Sequence, residues 1–252
     1  MKLKSVGTQR PIYLEMGYTL DKGAFVWYKG QNEPIPLKIK SLTIDSSEKE
    51  AGQPNFTTYK WTEVYKGKAI GEYGFIEWPR HVDGFYYKRY SDGKVFNFEI
   101  YHEGTYDGKS MALVQNVQFH FYSFYRDSLS IVYPNGGKQQ MELSPLPENR
   151  SQARYLYVQD YNFDGVDDIA FSVTDGEGLV VVFDVFIYNK TTKKFNRLLT
   201  PAGADDCGYL TNLELDKEKK QLSTTCKSGA SWLGYTYKFN KLGKLVLVKG
   251  EE

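Results

Sequence analysis

Long hydrophobic runs are missing from this 252-residue sequence. The longest run, LVVVF at 179–183, has the length of a buried strand, whereas a membrane-spanning helix needs roughly 18 or more apolar residues. No segment shows a sustained 3.6-residue hydrophobic period either. We therefore expect no membrane span and little helix.

An excess of charge of one sign is also missing. Lys and Arg number 32 and Asp and Glu number 31, which gives a formal net charge of +1. Such a balance provides no global field to attract nucleic acid or anionic lipid. We therefore expect no nucleic-acid partner.

Cysteine is scarce. The chain has only Cys207 and Cys226, and a hairpin-like segment lies between them, so paired strands would allow them to face each other. A disulfide there would stabilise the fold by roughly 3 kcal/mol in the loop-entropy model. The alternative is two reduced, buried thiols, and composition alone leaves both open. A zinc site is disfavoured because no further cysteine lies near a histidine.

The N-terminal segment lacks the pattern of a secretory signal peptide. MKLKSVG has basic residues but no apolar stretch behind them. Two interpretations remain: a cytosolic protein, or a mature chain whose export signal was removed and replaced by Met1.

Aromatic residues, by contrast, are abundant: 21 Tyr, 15 Phe and 4 Trp make up 16% of the chain. Aromatic side chains suit pleated, half-buried surfaces, and 23 glycines supply turns. Turn sequences such as SDGK at 91–94 separate stretches in which apolar and polar residues alternate. These stretches are 96–101, 117–122, 222–226 and 235–239. The pattern predicts an all-β protein.

The segment LSPLPENR at 143–150 is the strongest candidate for a domain boundary. Two of the nine prolines fall there, and proline removes a backbone donor and favours an extended chain. We therefore divide the chain into an N-terminal β-rich region at 1–148 and a C-terminal domain at 149–252.

One motif indicates metal chemistry: DYNFDGVDD at 160–168 fits the pattern D-x-N-x-D-G-x-x-D of a calcium loop. Oxygen ligands at positions 1, 3 and 5 converge when such a loop winds tightly, and Gly165 at position 6 permits the sharp turn. A divalent cation removes the repulsion among the carboxylates. The predicted ligands are Asp160, Asn162, Asp164, the Val166 carbonyl and Asp168.

The loop departs from the EF-hand in two respects. Position 12 is Phe171 instead of the bidentate Glu, and the flanks at 155–158 and 169–173 have strand patterns. We therefore expect Ca²⁺ in a β setting, where it ties two strands together and takes its remaining ligand from water or from elsewhere. The alternative is an acidic turn that binds nothing.

Signatures of catalysis are missing. The sequence has no G-x-S-x-G, no phosphate-binding P-loop and no H-E-x-x-H. His81, His102 and His120 lack metal-ligand spacing. We therefore predict that the protein is not an enzyme.

Several C-terminal segments are specific in combination. They are the calcium loop, VVVFDVFIYN at 180–189, LSTTCKSGASW at 222–232 and YTYKF at 235–239. Together they resemble a bacterial family of periplasmic, calcium-binding, lysozyme-inhibitor-like proteins, over roughly residues 150–248. This family includes immunity proteins against peptidoglycan-cleaving effectors of antibacterial secretion systems, which are structurally similar to the periplasmic inhibitor of invertebrate-type lysozyme.

The resemblance implies an antiparallel β-sandwich that blocks an enzyme in the periplasm. That compartment is oxidising, which favours the Cys207–Cys226 disulfide. The N-terminal region is not covered by the resemblance, and we expect it to extend the sandwich or to form a second β-domain.

In inhibitors of this kind, a loop with a Ser-Gly-x-Tyr-like motif enters the hydrolase cleft. The nearest match here is SGASW, which makes Ser228, Gly229, Ser231 and Trp232 the predicted partner-binding residues, with Trp in place of the aromatic hydroxyl. Gly229 allows close backbone approach, the serines offer hydroxyls to catalytic carboxylates, and Trp232 suits an interface anchor. The alternative is a turn after the Cys226 strand with Trp232 in the core.

Three functions follow from these observations. The first is an immunity or inhibitor protein that occludes the active site of an antibacterial effector, most directly a lysozyme-like peptidoglycan hydrolase. The alternative is a calcium-stabilised surface or glycan-binding module that uses exposed Tyr and Trp. A hydrolase is the weakest of the three, because nothing orders a nucleophile next to a base.

Overall fold

The computed structural model of the protein describes residues 1–19, 22–45, 55–78, 81–102, 107–147, 152–175, 179–201, 208 and 210–251. The regular secondary structure in these ranges is β-strand, and no helix occurs among the described residues, which confirms the predicted all-β class. The described part of the chain accordingly has no helix long and apolar enough to cross a membrane.

The chain forms two compact units, Met1–Tyr106 and Asp107–Glu252. The units therefore do not separate at the predicted boundary between 148 and 149. Four strands of the predicted N-terminal region, between 109 and 142, belong to the second unit instead.

Within the described ranges, the first unit has eight strands. They are β1 (Lys2–Val6), β2 (Tyr13–Thr19), β3 (Gly23–Tyr28), β4 (Ile35–Asp45), β5 (Phe56–Tyr65), β6 (Lys68–Trp78), β7 (His81–Arg89) and β8 (Val95–Ile100). Each strand pairs antiparallel with the next, and β1 also pairs with β8, which closes a barrel. The first 106 residues of the predicted N-terminal region thus form a separate β-unit.

Alternation along each strand sorts the side chains between the interior and the outside of this barrel. Large aromatic residues dominate the interior: Tyr59, Trp61, Tyr73, Phe75 and Phe85 are each at most 4% exposed. The rings of Tyr59 and Trp61 stack with their centroids 5.1 Å apart. Part of the unusual aromatic content therefore fills the barrel.

The described residues of the second unit form thirteen strands in three antiparallel sheets. The first sheet has β9 (Lys109–Val114), β10 (Val117–Tyr122), β11 (Ser128–Val132) and β12 (Lys138–Glu142). The second has β13 (Tyr155–Gln159), β14 (Asp168–Thr174), β15 (Val181–Asn189), β16 (Lys194–Arg197) and β17 (Leu210–Thr211). The third has β18 (Glu214–Asp216), β19 (Gln221–Ser228), β20 (Ser231–Phe239) and β21 (Leu245–Glu251).

The second sheet is the middle layer, because a hydrophobic core lies on each of its faces. On one face, Phe119 and Phe121 of β10 pack with Phe171 of β14. On the other face, Ala170 of β14 packs with residues of the third sheet that include Tyr237. This unit has one sheet more than the two-sheet sandwich that the resemblance implies.

The first residues of the segment predicted to be a boundary pack against the second unit. Leu143 is 4% exposed in the core shared by the first two sheets. Ser144 donates its backbone N–H to the Asp184 carboxylate of β15 at 2.6 Å. Arg154, whose side chain is fully buried, pairs with Asp127 at 2.7 Å. The described residues on both sides of the prolines, Ser144 and Arg154, are therefore buried in the second unit.

Candidate functional site

The predicted calcium loop connects β13 and β14. These strands pair antiparallel from Tyr155 opposite Ser172 to Gln159 opposite Asp168. The predicted setting of the loop between two strands is therefore confirmed.

The loop is wound around the Asp160 carboxylate. This carboxylate accepts the backbone N–H of Asp164 through Oδ1 at 3.0 Å and that of Gly165 through Oδ2 at 2.7 Å. The Asn162 side-chain oxygen accepts the same Asp164 N–H at 3.1 Å. Phe163 and Gly165 have φ angles of 59° and 85°, and this left-handed backbone explains glycine at position 6. The side chains of Asp160 and Asn162 thus both accept the backbone N–H of Asp164.

A lysine neutralises part of the loop's charge. Lys190 Nζ lies 2.6 Å from the Asp164 carbonyl oxygen and 3.3 Å from Asp164 Oδ1. The Asp164 carboxylate also accepts the Val166 N–H at 2.9 Å. A metal ion at Asp164 would compete with this ammonium, and because the Lys190 side chain is 49% exposed, giving up such a pair costs about 1 kcal/mol or less.

Asp168 lies on the inner side of the loop and is fully buried. Its Oδ2 accepts the Tyr161 N–H at 2.9 Å, and its Oδ1 accepts the Tyr188 N–H of β15 at 2.8 Å. Burial raises the pKa of the Asp168 carboxyl to about 7, although these backbone N–H groups act in the opposite direction. Asp168 therefore links the loop to the neighbouring strand β15.

The oxygen donors of the loop are of the type that Ca²⁺ prefers: carboxylates, an amide oxygen and carbonyls. Among the residues that the structure describes, no group of three or more His, Cys, Asp or Glu side chains is arranged to hold a metal ion. The loop brings Asp160, Asn162 and Asp164 together, whereas Asp168 is turned towards the strands. Calcium binding stays a prediction.

The predicted partner-binding segment forms the tip of the hairpin between β19 and β20. Ser228 pairs with Ser231, so the turn consists of Gly229 and Ala230, and Gly229 has a φ angle of 61°. All these residues are exposed, and Trp232 is 47% exposed. The segment is therefore a turn, but the alternative that places Trp232 in the core is wrong.

The strand residues next to this hairpin tip are polar. Lys227 pairs with Trp232 across the two strands, and Thr225 pairs with Gly234. Lys227 and Thr225 are exposed. The surface at Gly234 is open, because no described residue other than the two chain neighbours of Gly234 lies within 4 Å of the position that a Cβ would take there. Trp232 and Lys227 thus occupy paired positions on an exposed part of the sheet.

The two cysteines differ in what the structure shows of them. Cys226 is 5% exposed on β19. Cys207 lies outside the described residues, so the pairing of the two cysteines stays a prediction.

A pocket on the barrel was not predicted from the sequence. Its volume is about 290 Å³, and its lining includes the aromatic residues Tyr13, Trp27 and Tyr101 and the charged residues Lys2, Lys29 and Glu15. In the sequence, each of these occupies an ordinary outward position on or next to a strand. Only the closure of the barrel brings Tyr101, after β8, next to β1 and β2.

Comparisons with known proteins add little to this description. No family model and no curated protein matches the chain. Among solved structures, the crystal structure of the tricorn protease is similar with 8% sequence identity and a TM-score of 0.19, over 98% of this chain and 31% of that chain. The chain thus spans about a third of that structure's length, and a likeness at this score carries no argument about fold or function.

Proposed function

We propose that the protein is an immunity or inhibitor protein that binds and occludes the active site of a peptidoglycan hydrolase, such as a lysozyme-like effector of an antibacterial secretion system. The observation that supports this proposal is the exposed hairpin tip at 228–232. A two-residue turn between paired strands is narrow, and this one presents an aromatic ring together with two hydroxyls.

The chemistry of the hairpin tip suits the cleft of a glycosidase. Such clefts hold a pair of carboxylates about 5 to 9.5 Å apart. Ser228 and Ser231 offer hydroxyl donors, and the neighbouring Lys227 adds a cation, so all three suit charge-assisted contacts with carboxylates. Trp232 gains from transfer out of water, and Trp is among the residues that dominate binding energy in protein interfaces.

The remaining parts of the proposal concern the setting of the hairpin. The second and third sheets enclose one core, and under this proposal they would be the counterpart of the sandwich of the inhibitor-like family. Ca²⁺ would be held by Asp160, Asn162, Asp164 and the Val166 carbonyl, and would stabilise the loop between β13 and β14. A periplasmic location and the Cys207–Cys226 disulfide belong to the same proposal, because that compartment is oxidising.

The test is an inhibition titration in calcium buffer. The chain is added to a panel of purified lysozymes and effector peptidoglycan hydrolases, and the rate of cell-wall lysis is measured. We expect stoichiometric inhibition of at least one hydrolase, weakened about tenfold or more by W232A.

The matched control is L242A, because Leu242 is 82% exposed at the turn between β20 and β21 of the same sheet. This variant removes an exposed apolar side chain from a different hairpin tip and is expected to inhibit like the wild type. Failure of the chain to inhibit any member of the panel, or equal effects of W232A and L242A, would contradict the proposal.

A further inference from the structure

The pocket on the barrel has the composition of a small-ligand site. Its volume of about 290 Å³ is at the lower end of the range for ligand pockets, roughly 300 to 1,000 Å³. Its lining includes the aromatic residues Tyr13, Trp27 and Tyr101 and the polar residues Lys2, Glu15 and Gln31. All of them belong to the first unit, so the pocket is independent of the hairpin at 228–232.

Strand register explains why these side chains share a surface. Lys2 of β1 lies opposite Glu15 of β2, and Glu15 lies opposite Trp27 of β3. The three therefore form a lateral row on the outer face, because their neighbours Leu3 and Leu14 point into the barrel core.

The loop after β3 folds back over this row and forms one wall of the pocket. Gly30 has a φ angle of 94°, which turns the chain, and the Gln31 N–H donates to the Tyr28 carbonyl at 3.0 Å. The indole N–H of Trp27 donates to the Gln31 carbonyl at 2.9 Å. The loop is thus held against the indole by hydrogen bonds at both ends of Gln31.

Two tyrosines form the opposite side of the pocket. The ring centroids of Tyr13 and Tyr101 are 5.3 Å apart at an interplanar angle of 60°, an edge-on contact. Lys29 Nζ lies 5.5 Å from the centroid of the Tyr13 ring. Tyr13 thus contacts both Tyr101 and Lys29, so part of the aromatic wall is ordered before any ligand binds.

The polar groups of the pocket determine the class of ligand. Lys2 and Lys29 donate, the Glu15 carboxylate accepts, and the Gln31 side chain does both. A carboxylate among the lining groups disfavours a phosphate-rich polyanion, and the charged groups disfavour a purely apolar ligand. A sugar ring matches the set, because its hydroxyls both donate and accept while its C–H face packs on aromatic rings.

We propose that this pocket is a saccharide-binding site of the barrel, in which Trp27 and Tyr101 contact the ring and Glu15 and Lys2 hold its hydroxyls. The site goes beyond the proposed inhibitor function and does not depend on it. Saccharide binding and hydrolase inhibition are assigned to different units of the chain.

The experiment is isothermal titration of the full chain with four tetrasaccharides, which are chitotetraose, cellotetraose, maltotetraose and mannotetraose, and with the oligonucleotide dT8. We expect at least one tetrasaccharide to bind and dT8 not to bind. We expect W27A to weaken that binding tenfold or more, and E15Q to weaken it several-fold. Because Glu15 is exposed and makes no core contact, E15Q tests the site even where W27A disturbs the loop.

The control is W232A, which removes an exposed tryptophan from the other unit and is expected to bind the saccharide like the wild type. W27A is in turn expected to keep any hydrolase inhibition, so failure of one proposal is distinguishable from failure of the other. Binding of no tetrasaccharide, binding that W232A abolishes and W27A and E15Q do not, or preferential binding of dT8 would overturn the proposal.

Discussion

At the residue scale, the aromatic interior of the barrel contains the buried carboxyl group of Glu63. Glu63 of β5 is 8% exposed, and desolvation by burial raises the pKa of its carboxyl, while hydrogen bonds from Tyr87 and Tyr73 lower it in part. The Tyr87 ring lies over Gly71, the residue opposite Glu63 on β6. A Cβ at Gly71 would lie only 2.3 Å from this ring. The missing side chain at position 71 therefore makes room for the contact.

The raised pKa of Glu63 gives the stability of the barrel a pH dependence. A glutamate in the unfolded chain has a pKa near 4.5, and Glu63 in the folded state keeps its proton to higher pH. The protonated carboxyl therefore contributes its full stabilisation of the folded state below pH 4.5, and this contribution is lost as the pH rises through the folded pKa. We expect E63Q to be more stable relative to wild type at pH 7 than at pH 4, as measured by urea unfolding across that range. The exposed Glu99 of β8 supplies the control E99Q, and equal pH profiles for wild type and E63Q would contradict this expectation.

A second prediction concerns the buried arginine of the second unit. Arg154 pairs with Asp127, and its guanidinium also donates to the Ser144 carbonyl at 2.9 Å. Its side chain is fully buried, whereas Asp127 is 39% exposed, so R154M leaves a partly solvated carboxylate and an unpaired carbonyl. We expect a loss of about 3 kcal/mol in the free energy of unfolding.

The matched control for this arginine is R89M, because Arg89 and Asp92 form an exposed pair on the barrel, 43% and 46% exposed. An exposed pair contributes about 1 kcal/mol or less, so R89M should change the free energy of unfolding by no more than that. Similar losses for R154M and R89M would show that burial of Arg154 does not matter.

At the scale of elements, the stretches that alternate in the sequence correspond to strands. The stretches 96–101 and 117–122 correspond to β8 and β10, and their inward residues include Phe98 and Phe119. Strand β14 is different, because it is buried along nearly its whole length and lacks a polar face. Strands of this kind occur where both faces of a sheet are covered.

The acidic loop is the element for which ligand addition is informative. If Asp160, Asn162 and Asp164 hold Ca²⁺, the ion stabilises the folded state by about 2.7 kcal/mol at a free concentration of 100 times Kd. We expect Ca²⁺ to raise the melting temperature of the wild type and to leave that of D160N unchanged. The comparison is made between Ca²⁺ and chelator for each variant, because Asp160 also accepts two backbone N–H groups of the loop.

The control for this loop is E218Q, because Glu218 is an exposed acidic residue in the turn between β18 and β19. E218Q should keep the full response to Ca²⁺. A wild type that shows no shift at millimolar Ca²⁺ would favour the acidic turn that binds nothing.

At the scale of the whole molecule, the position of the unit boundary predicts which fragments fold. A fragment of residues 107–252 retains all three sheets, whereas a fragment of residues 149–252 lacks β9 to β12. Without them, one face of the middle sheet, which includes Phe171 and Phe186, would be exposed to water. We expect near-ultraviolet circular dichroism and dispersed amide NMR signals from the longer fragment only. Native-like spectra from the shorter fragment would support the boundary between 148 and 149.

The sequence by itself determined the features that depend on neighbouring residues. Alternation specified the strands, and glycine and asparagine specified the turns, because side-chain direction and left-handed backbone are local properties. The winding of the loop around the Asp160 carboxylate belongs to this group, since the hydrogen bonds from the Asp164 and Gly165 N–H groups join residues only four and five positions apart.

Tertiary structure alone decided which strands share a sheet and which surfaces stay exposed. The closure of β1 on β8 joins Leu3 to Ile100, and no local pattern specifies such a partner. The proline segment looked like a linker because its local conformation is extended, yet Leu143 and Ser144 are buried by contacts with strands distant in sequence. The residues next to Trp232 in the sequence are the same whether its side chain is buried or exposed, and only the position of the β19–β20 hairpin in the fold leaves it exposed. Burial depends on long-range contacts, which a short segment of sequence does not contain.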